Sequence, residues 1–511
     1  MGDVVAAALP TASQRVSGQA VWSILAKVAT LGGTLGVSVV AARYLGAEDF
    51  GVWSLARNMV VYLGLFAAFG LDRALLRFVP ELEARGAGAA VRRLLLLTFG
   101  LQALLASVAG TLLVALRPLC ERLLTPKIGP LLPLIAILAA VFVFKETLYQ
   151  LHFALGRARV LTVATTVTGA AWLALTWWLL DAGWGAKGAL VAQAGALALA
   201  CAVLLPSLRR TLRSLPMESP DTLHHRRLGG YAATMVGSGL VNLIVQRQSE
   251  VFFLAMAASP AVVGFYDLGY SLPQLGLELL PLSLYAVVLS AVTASYTRDP
   301  SRLGALVGWY YKLLAVVTIP VALLGVVWAD RALVLLYGAE MAPAGPVAQI
   351  FSIVLLLQFV SVPVGTALLV KEQAHRTLPF GVLQLVINIG LDLLLIPRFE
   401  ISGAIAAVVL SFVLVTPITI RYALRFTGPL EFPYRWIARL FVAVSPGLLP
   451  ALARPWAHDW ITVAAGVAAS CLLMLVGFRF GGLIGSEERH RLEQAHIPGK
   501  RWVLRLLVRR R

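Results

Sequence analysis

Long runs of apolar residues recur along the whole chain, with short polar segments between them. Eight windows contain no Asp, Glu, Lys or Arg, namely 94–116, 160–180, 188–208, 228–246, 279–297, 341–370, 401–420 and 460–478. Seven further apolar segments carry one or two charges each, namely 18–42, 49–71, 128–155, 263–278, 304–328, 376–397 and 434–453. A helix needs about 20 mostly apolar residues to cross the hydrocarbon core. With 263–278 and 279–297 taken as one helix, the pattern predicts about 14 membrane-spanning helices.

Strands that span a membrane alternate apolar and polar residues, whereas these runs are continuously apolar. Composition agrees, because 59% of the residues are hydrophobic and 13% are charged, about half the charged fraction of an ordinary soluble domain. The predicted fold class is therefore all-α and integral to the membrane, a polytopic helical bundle.

The positive charge is unevenly distributed along the chain. The formal net charge is +18, and most Lys and Arg residues lie in the even-numbered connections, near the N-terminus and in the tail 484–511. Such residues concentrate on the cytoplasmic side of membrane proteins, so both termini are predicted to be cytoplasmic. The basic tail is expected to lie on anionic membrane lipids, and no nucleic-acid partner is expected.

The longest polar connection divides the chain near its middle. Gly51-Val-Trp-Ser-Leu in the first half aligns with Gly264-Phe-Tyr-Asp-Leu in the second, each at the start of the second helix of its half. Six spans separate the two segments, so they share one orientation, as in a parallel repeat. The predicted organisation is an N-terminal lobe of six spans (1–206), a cytoplasmic inter-lobe loop (207–228), a C-terminal lobe of six spans (229–425), two extra spans (426–483) and the basic cytoplasmic tail (484–511).

Short motifs around the first two spans resemble a known family. They are Ala41-Ala42-Arg43-Tyr44-Leu45-Gly46, Phe50-Gly51, Gly70, Arg77-Phe78 with an acidic and basic loop at 81–85, and, in the second half, Arg247, Glu250 and Val263-Gly264-Phe265-Tyr266. Together they resemble the polysaccharide transporter branch of the multidrug/oligosaccharidyl-lipid/polysaccharide (MOP) flippase superfamily.

The resemblance implies a function as well as a fold. It implies two six-helix lobes around a central cavity that opens alternately to each side of the bacterial inner membrane. It also implies a substrate, an oligosaccharide linked to a polyprenyl pyrophosphate. The chain is then a transporter rather than an enzyme, acting in cell-surface polysaccharide biosynthesis.

Three cations inside predicted spans are the candidate substrate-binding residues: Lys27, Arg57 and Arg247. A charge at the bilayer centre costs at least about 2.5–3.5 kcal/mol, so such residues usually face a cavity or a charged partner. Lys27 and Arg57 lie at different distances from the turn between the first two spans, and cations at several depths suit an elongated anionic head group. The alternative is that Lys27 extends to the membrane surface and that Arg57 forms a structural pair.

Carboxylates inside the predicted spans are candidates for coupling to H⁺ or Na⁺. Glu250 is three residues from Arg247, so the two could form an ion pair on one helix face. That ion pair would either break when phosphate competes for Arg247 or a proton competes for Glu250, or it would be a permanent ion pair. Asp267 and Glu278 in the eighth span are the further candidates.

Lys145 and Tyr149 lie on one helix face in the fourth span, beside Glu146. They are candidates for a substrate entrance, and the alternative is that Lys145 extends to the interface and balances Glu146. No CxxC, HExxH or Walker-type phosphate loop occurs in the sequence, so no metal or other cofactor is expected.

The sequence thus favours a flippase for polyprenyl-linked oligosaccharides that acts as a monomer, with membrane lipids and polysaccharide assembly proteins as candidate partners. An ion-coupled multidrug exporter of the same superfamily is the first alternative, and it would favour carboxylates over cations for cationic drugs. An integral-membrane glycosyltransferase or polymerase is the second, and it would need a large polar loop with catalytic carboxylates.

Overall fold

The computed structural model describes residues 2–214, 249–373 and 378–483, together with Gly230 and Arg376. Side chains are described from Val28 onward, with gaps that include 277–287. The described residues contain helices and turns and no strand. Their contacts divide the chain into two compact units, 1–264 and 265–511.

The first unit consists of helices, which are numbered here in chain order. They are α1 (Gly2–Ala68), α2 (Leu71–Ala84), α3 (Gly88–Ala115), α4 (Arg117–Leu123), α5 (Leu132–Ala154), α6 (Ala158–Asp181), α7 (Gly185–Ser214) and α8 (Glu250–Ala257). A 3₁₀ turn, Pro126–Leu131, precedes α5. Helix α9 (Pro260–Arg298) begins in this unit and continues into the second.

The second unit contains the remaining helices. They are α10 (Leu303–Tyr337), α11 (Ala344–Val354), α12 (Leu356–Val370), α13 (Leu378–Thr427), α14 (Tyr434–Val444) and α15 (Trp460–Phe480). A 3₁₀ segment, Ser445–Trp456, continues from α14. Its Arg454 pairs with Asp330 of α10, which ties the segment to that helix.

Ten segments within the described residues are long and apolar enough to cross a membrane. Two of them contain a break in helical geometry: Val28–Ala68 at Gly46 (φ 70°) and Pro379–Thr427 at Glu400 (φ 47°). Each break coincides with a turn expected between consecutive spans, so each segment corresponds to two crossings. The all-α, multi-pass fold is therefore confirmed. The predicted seventh span, 228–246, lies outside the described residues except for Gly230, and the lobe boundaries stay a prediction.

Close helix packing in the first unit depends on glycine. A Cβ atom at Gly33 of α1 would lie 3.2 Å from the Cα atom of Gly169 in α6, so small residues allow these two backbones to approach. An apolar core of this unit lies among α2, α3, α5, α6 and α7, with Leu75, Leu94 and Leu148 fully buried in it.

The two glycines aligned by the sequence repeat lie against each other in the first unit. A Cβ atom at Gly51 would come within 1.7 Å of the carbonyl oxygen of Pro260, and one at Gly264 would lie 3.2 Å from that of Ala47. Each glycine thus meets the residue four positions before the other. Both close approaches depend on the absence of a side chain at these glycines, and the sequence repeat stays a prediction.

One connection differs from its sequence expectation. The acidic and basic loop expected at 81–85 forms, for the most part, the last turn of α2, whose buried face includes Leu75, Phe78 and Leu82. Glu81 on the exposed side bonds both Arg77 (2.9 Å) and Arg85 (2.7 Å). The loop is part of the motif that carries the family resemblance, whereas the apolar positions of 71–82 recur at three and four residues and form an amphipathic helix.

Candidate substrate site

Arg57 lies in the half of α1 that follows Gly46, and it is partly buried. Its guanidinium carbon is 4.6 Å from the centre of the Trp53 ring, one helical turn earlier. Trp53 is fully buried, and its indole nitrogen has no hydrogen-bond partner among the described residues. The flat guanidinium group is therefore held against a rigid aromatic face, as cation–π contacts with Arg usually are.

Helix α8 packs against the same half of α1. The rings of Tyr62 and Phe252 meet edge to face at 4.9 Å, and Gly51 lies against Pro260, the first residue of the next helix, α9. Arg57 falls between these two contacts along α1. Glu250, the first residue of α8, is buried at 4% exposure. The structure thus brings a cation and a carboxylate predicted for the site onto neighbouring helices of the first unit.

The structure does not describe the side chains of three residues predicted for the site. The backbones of Lys27 and Glu278 lie within α1 and α9, but their side chains are outside the described set. Arg247 lies wholly outside the described residues. The roles predicted for these three residues, including the Arg247–Glu250 ion pair, stay predictions.

Asp267 is buried on α9 in the second unit. The neighbouring rings of Tyr266 and Tyr270 pack against Phe351 of α11, with ring centres 5.5 and 4.9 Å away. In the same unit Asp392 is fully buried and accepts a hydrogen bond of 3.0 Å from Asn388, one turn earlier. Asp392 lies within the apolar segment Pro379–Thr427, which is long enough to cross a membrane, and buried carboxylates in such segments usually face a partner or a cavity.

Lys145 and Tyr149 line a cavity of about 270 Å³ in the first unit. Lys145 pairs with Glu146, and its ammonium nitrogen is 5.7 Å from the centre of the Tyr149 ring. The other polar lining residues are Thr30 and Thr34 of α1 and Thr165, Thr168 and Trp172 of α6. This arrangement combines a balanced charge pair with hydroxyl groups and aromatic rings, which suits a polar, uncharged ligand such as a sugar.

The sequence of residues 40–346 matches the family described as polysaccharide biosynthesis protein. The chain belongs to this family. No curated protein sequence matches it significantly.

Solved structures that are similar to this chain include transporters of the MOP superfamily. The lipid II flippase MurJ, in an inward closed conformation, is 11% identical with a TM-score of 0.70, over 91% of this chain and 98% of that one. An inward-facing multidrug resistance MATE family transporter is 15% identical with a TM-score of 0.62, over 80% and 98%. A MOP transporter from Pyrococcus furiosus, reported with a binding pocket of reverse polarity, is 13% identical with a TM-score of 0.58, over 81% and 95%. The resemblance inferred from the motifs is therefore confirmed, and the family member has the MOP fold.

Several residues of the site were not predicted from the sequence. Trp53 precedes Arg57 by four residues, a spacing that puts both side chains on one helix face, so the stacking could have been anticipated. The threonines of the cavity also occur at spacings of three or four residues within each helix. That α1 and α6 would face each other there could not be inferred, because it depends on the packing of Gly33 against Gly169.

The described residues contain no group of three or more His, Cys, Asp or Glu side chains positioned to hold a metal ion. His152 of α5 is fully buried, and its Nδ1 atom donates a hydrogen bond of 2.8 Å to the carbonyl oxygen of Leu148. This contact within its own helix anchors the imidazole ring.

Proposed function

We propose that this protein is a flippase that moves an oligosaccharide linked to a polyprenyl phosphate or pyrophosphate across the bacterial inner membrane. It acts in the synthesis of cell-surface polysaccharide, as a transporter rather than an enzyme. The family and the MOP fold support this assignment. The observation that carries it furthest is Arg57, a cation stacked on a buried tryptophan inside a membrane-spanning helix.

Arg57 is proposed to bind the phosphate groups of the substrate. A guanidinium group presents parallel N–H donors that match phosphate oxygens. Stacking on Trp53 fixes the plane of the group, so less side-chain freedom is lost when phosphate binds. Lys27 and Arg247 are proposed to contact the same elongated head group at other depths, while the lipid tail stays in the bilayer.

Coupling to H⁺ or Na⁺ is proposed to use buried carboxylates. Glu250 is the first candidate, since its helix packs against the half of α1 that carries Arg57. Asp267 and Glu278 of α9 are the others. Protonation of Glu250 would change the charge near Arg57 and so its affinity for phosphate, which gives a means of linking ion movement to substrate release during alternating access.

The cavity at Lys145 and Tyr149 is proposed as a substrate entrance, where threonine hydroxyls and aromatic rings would contact sugar. Both termini are proposed to be cytoplasmic, with the basic tail on anionic lipids. The protein is proposed to act as a monomer beside polysaccharide assembly proteins.

Transport by purified protein in lipid vesicles tests this proposal. The vesicles would carry a polyprenyl-pyrophosphate oligosaccharide, and a membrane-impermeant reagent would report glycan on the outer surface. The parent protein should move glycan across the bilayer, and Arg57→Ala should slow this movement by about ten- to a hundredfold, the value of a charge-assisted hydrogen bond of about 1.5–3 kcal/mol. Arg57→Lys should retain part of the rate, because it keeps the charge but not the planar group.

Arg117→Ala is a matched control, because Arg117 is half exposed and pairs with Glu121 within its own short helix. This variant should transport like the parent. Equal rates for the parent and Arg57→Ala would overturn the role of Arg57. Export of cationic dyes without movement of any lipid-linked sugar would instead identify a multidrug exporter, and extension of the glycan would identify a glycosyltransferase or polymerase.

A further inference from the structure

A second cleft, with a volume of about 410 Å³, lies entirely within the second unit. Its walls are the first turns of α10 and α14 and the connector 428–433 between α13 and α14. The side chains that matter for binding are Trp309, Lys312, Glu431, Tyr434, Arg435 and Trp436. Nothing in the proposed transport route uses these residues.

The connector is held tightly against α10 by glycine packing. A Cβ atom at Gly304 would lie 2.8 Å from the carbonyl oxygen of Pro429, and one at Gly308 would lie 2.9 Å from that of Glu431. Phe432 of the connector packs edge to face on Tyr311 at 4.9 Å. The close packing of the connector against α10 therefore forms the cleft, and it places Glu431 beside the first turns of α10.

The cations of the cleft are held beside aromatic rings. The Lys312 ammonium nitrogen lies 5.7 Å from the centre of the Trp436 ring, and the Trp436 indole donates a hydrogen bond of 2.9 Å to the carbonyl oxygen of Leu483. Arg435 lies 5.6 Å from the ring of Tyr434. The cleft thus combines two cations, one carboxylate and four aromatic rings, and the N-terminal turn of α14 adds the positive end of its helix dipole.

This composition matches a ligand that carries both signs of charge. Lys312 and Arg435 suit a phosphate group, whereas a purely anionic ligand would be repelled by Glu431. Aromatic faces attract ammonium groups, and the Glu431 carboxylate adds an opposite charge for such a group. Tyr434 and Phe432 are 63% and 49% exposed, and exposed aromatic residues at the ends of membrane-spanning helices usually lie at the membrane–water interface.

We propose that this cleft binds the head group of a zwitterionic membrane phospholipid, with the phosphate at Lys312 and Arg435 and the ammonium group at Glu431 and the aromatic rings. The lipid tails extend along the outer surfaces of α10 and α14. Because these helices enter the membrane at the cleft, the site selects lipid from the leaflet on that side.

Lipid binding to the delipidated full-length protein tests the proposal by native mass spectrometry. Dioleoyl phosphatidylethanolamine and dioleoyl phosphatidylglycerol would be titrated in parallel. The parent protein should bind the ethanolamine lipid at least tenfold more tightly. Lys312→Gln and Arg435→Gln should weaken binding of both lipids, while Glu431→Gln should remove the preference and leave the affinity for phosphatidylglycerol equal or higher.

Matched controls lie at the same end of α10 but outside the cleft, where Arg302 and Asp299 form an exposed ion pair at 2.9 Å. Arg302→Gln and Asp299→Asn should bind both lipids like the parent. Lys312→Arg should keep binding, which separates lost recognition from misfolding. The proposal is overturned if the parent has no lipid preference, if Glu431→Gln retains it, or if inorganic phosphate displaces the lipid at equal concentration, since the cleft would then be a site for free phosphate.

Discussion

At the scale of single residues, the free-energy cost of a charge inside the membrane explains why the Arg57 guanidinium group stacks on a tryptophan ring. A cation at the bilayer centre costs at least about 2.5–3.5 kcal/mol on insertion scales. A cation–π contact returns about 0.5–2 kcal/mol, so stacking on Trp53 offsets part of this cost. A cation inside a membrane-spanning helix often marks a substrate pathway, which is why Arg57 is central to the proposed function.

Asp459 illustrates a residue whose role is purely structural. Its carboxylate accepts a 2.7 Å hydrogen bond from the backbone N–H of Thr462 at the start of α15. The Thr462 hydroxyl interacts with the Asp459 N–H in return, which completes a capping box. The backbone hydrogen bond from Thr462 lowers the pKa of Asp459 below its ordinary value of 3.8.

Asp459→Ala is therefore expected to lower the melting temperature at neutral pH. A carboxyl group whose pKa is lowered by folding stabilises the fold above its unfolded pKa, and this stabilisation is lost as the pH falls through the folded pKa. The difference in melting temperature between parent and variant should thus shrink below about pH 3.8. Thermal unfolding in detergent at neutral and acidic pH measures this difference in melting temperature. A difference that does not change with pH would contradict this account of the cap.

Single residues also mark how far the sequence could predict the site. Arg57, Glu250 and Lys145 could be selected from the sequence alone, because a charge in an apolar run is conspicuous. The helix that packs against the half of α1 carrying Arg57 could not be selected, because Phe252 meets Tyr62 only through packing between distant segments. Sequence reasoning paired Glu250 with Arg247 on its own helix, whereas the described structure adds the helix of Arg57 to its neighbourhood.

At the scale of elements, the contact between the second half of α1 and the start of α9 depends on the absence of a side chain at Gly51. Gly51→Ala would force a methyl group to within 1.7 Å of the Pro260 carbonyl oxygen. Overpacking of this kind typically costs about 1–3 kcal/mol, so the variant should unfold at a lower temperature.

Gly32→Ala is the control for this substitution. Gly32 lies in α1 as well, and a Cβ atom there would meet nothing within 4 Å. Because alanine favours a helix over glycine by about 1 kcal/mol, this variant should be as stable as the parent or slightly more so. Equal destabilisation of both variants would show that an added methyl group in α1 is harmful wherever it lies, and that the contact with Pro260 is not the cause.

Helix α2 is stabilised by its buried face rather than by its charges. Leu75 is fully buried in the core of the first unit, so Leu75→Ala should cost about 2–5 kcal/mol. Arg77→Gln removes a half-exposed ion pair with Glu81 and should cost less than about 1 kcal/mol. Denaturant titration of both variants measures the free energy of unfolding. A larger loss of stability for Arg77→Gln than for Leu75→Ala would contradict the claim that the buried face stabilises α2.

At the scale of the whole molecule, the fold class could be predicted because the bilayer constrains it so strongly. Every backbone group in the hydrocarbon must be bonded within the protein, which leaves helices as the solution for continuous apolar runs. The breaks at Gly46 and Glu400 coincide with turns expected from short polar segments. Helix α2 is too short and too polar to appear as a span, and its signal in the sequence is the spacing of its apolar residues by three and four positions.

The central claim is that the protein moves lipid-linked oligosaccharide across a bilayer, and the rate of glycan translocation in reconstituted vesicles measures it most directly. Vesicles with the parent protein should expose glycan from the inner leaflet many times faster than protein-free vesicles of the same lipid composition. Equal rates in the two preparations, with correctly folded protein and several lipid-linked glycans, would contradict the claim.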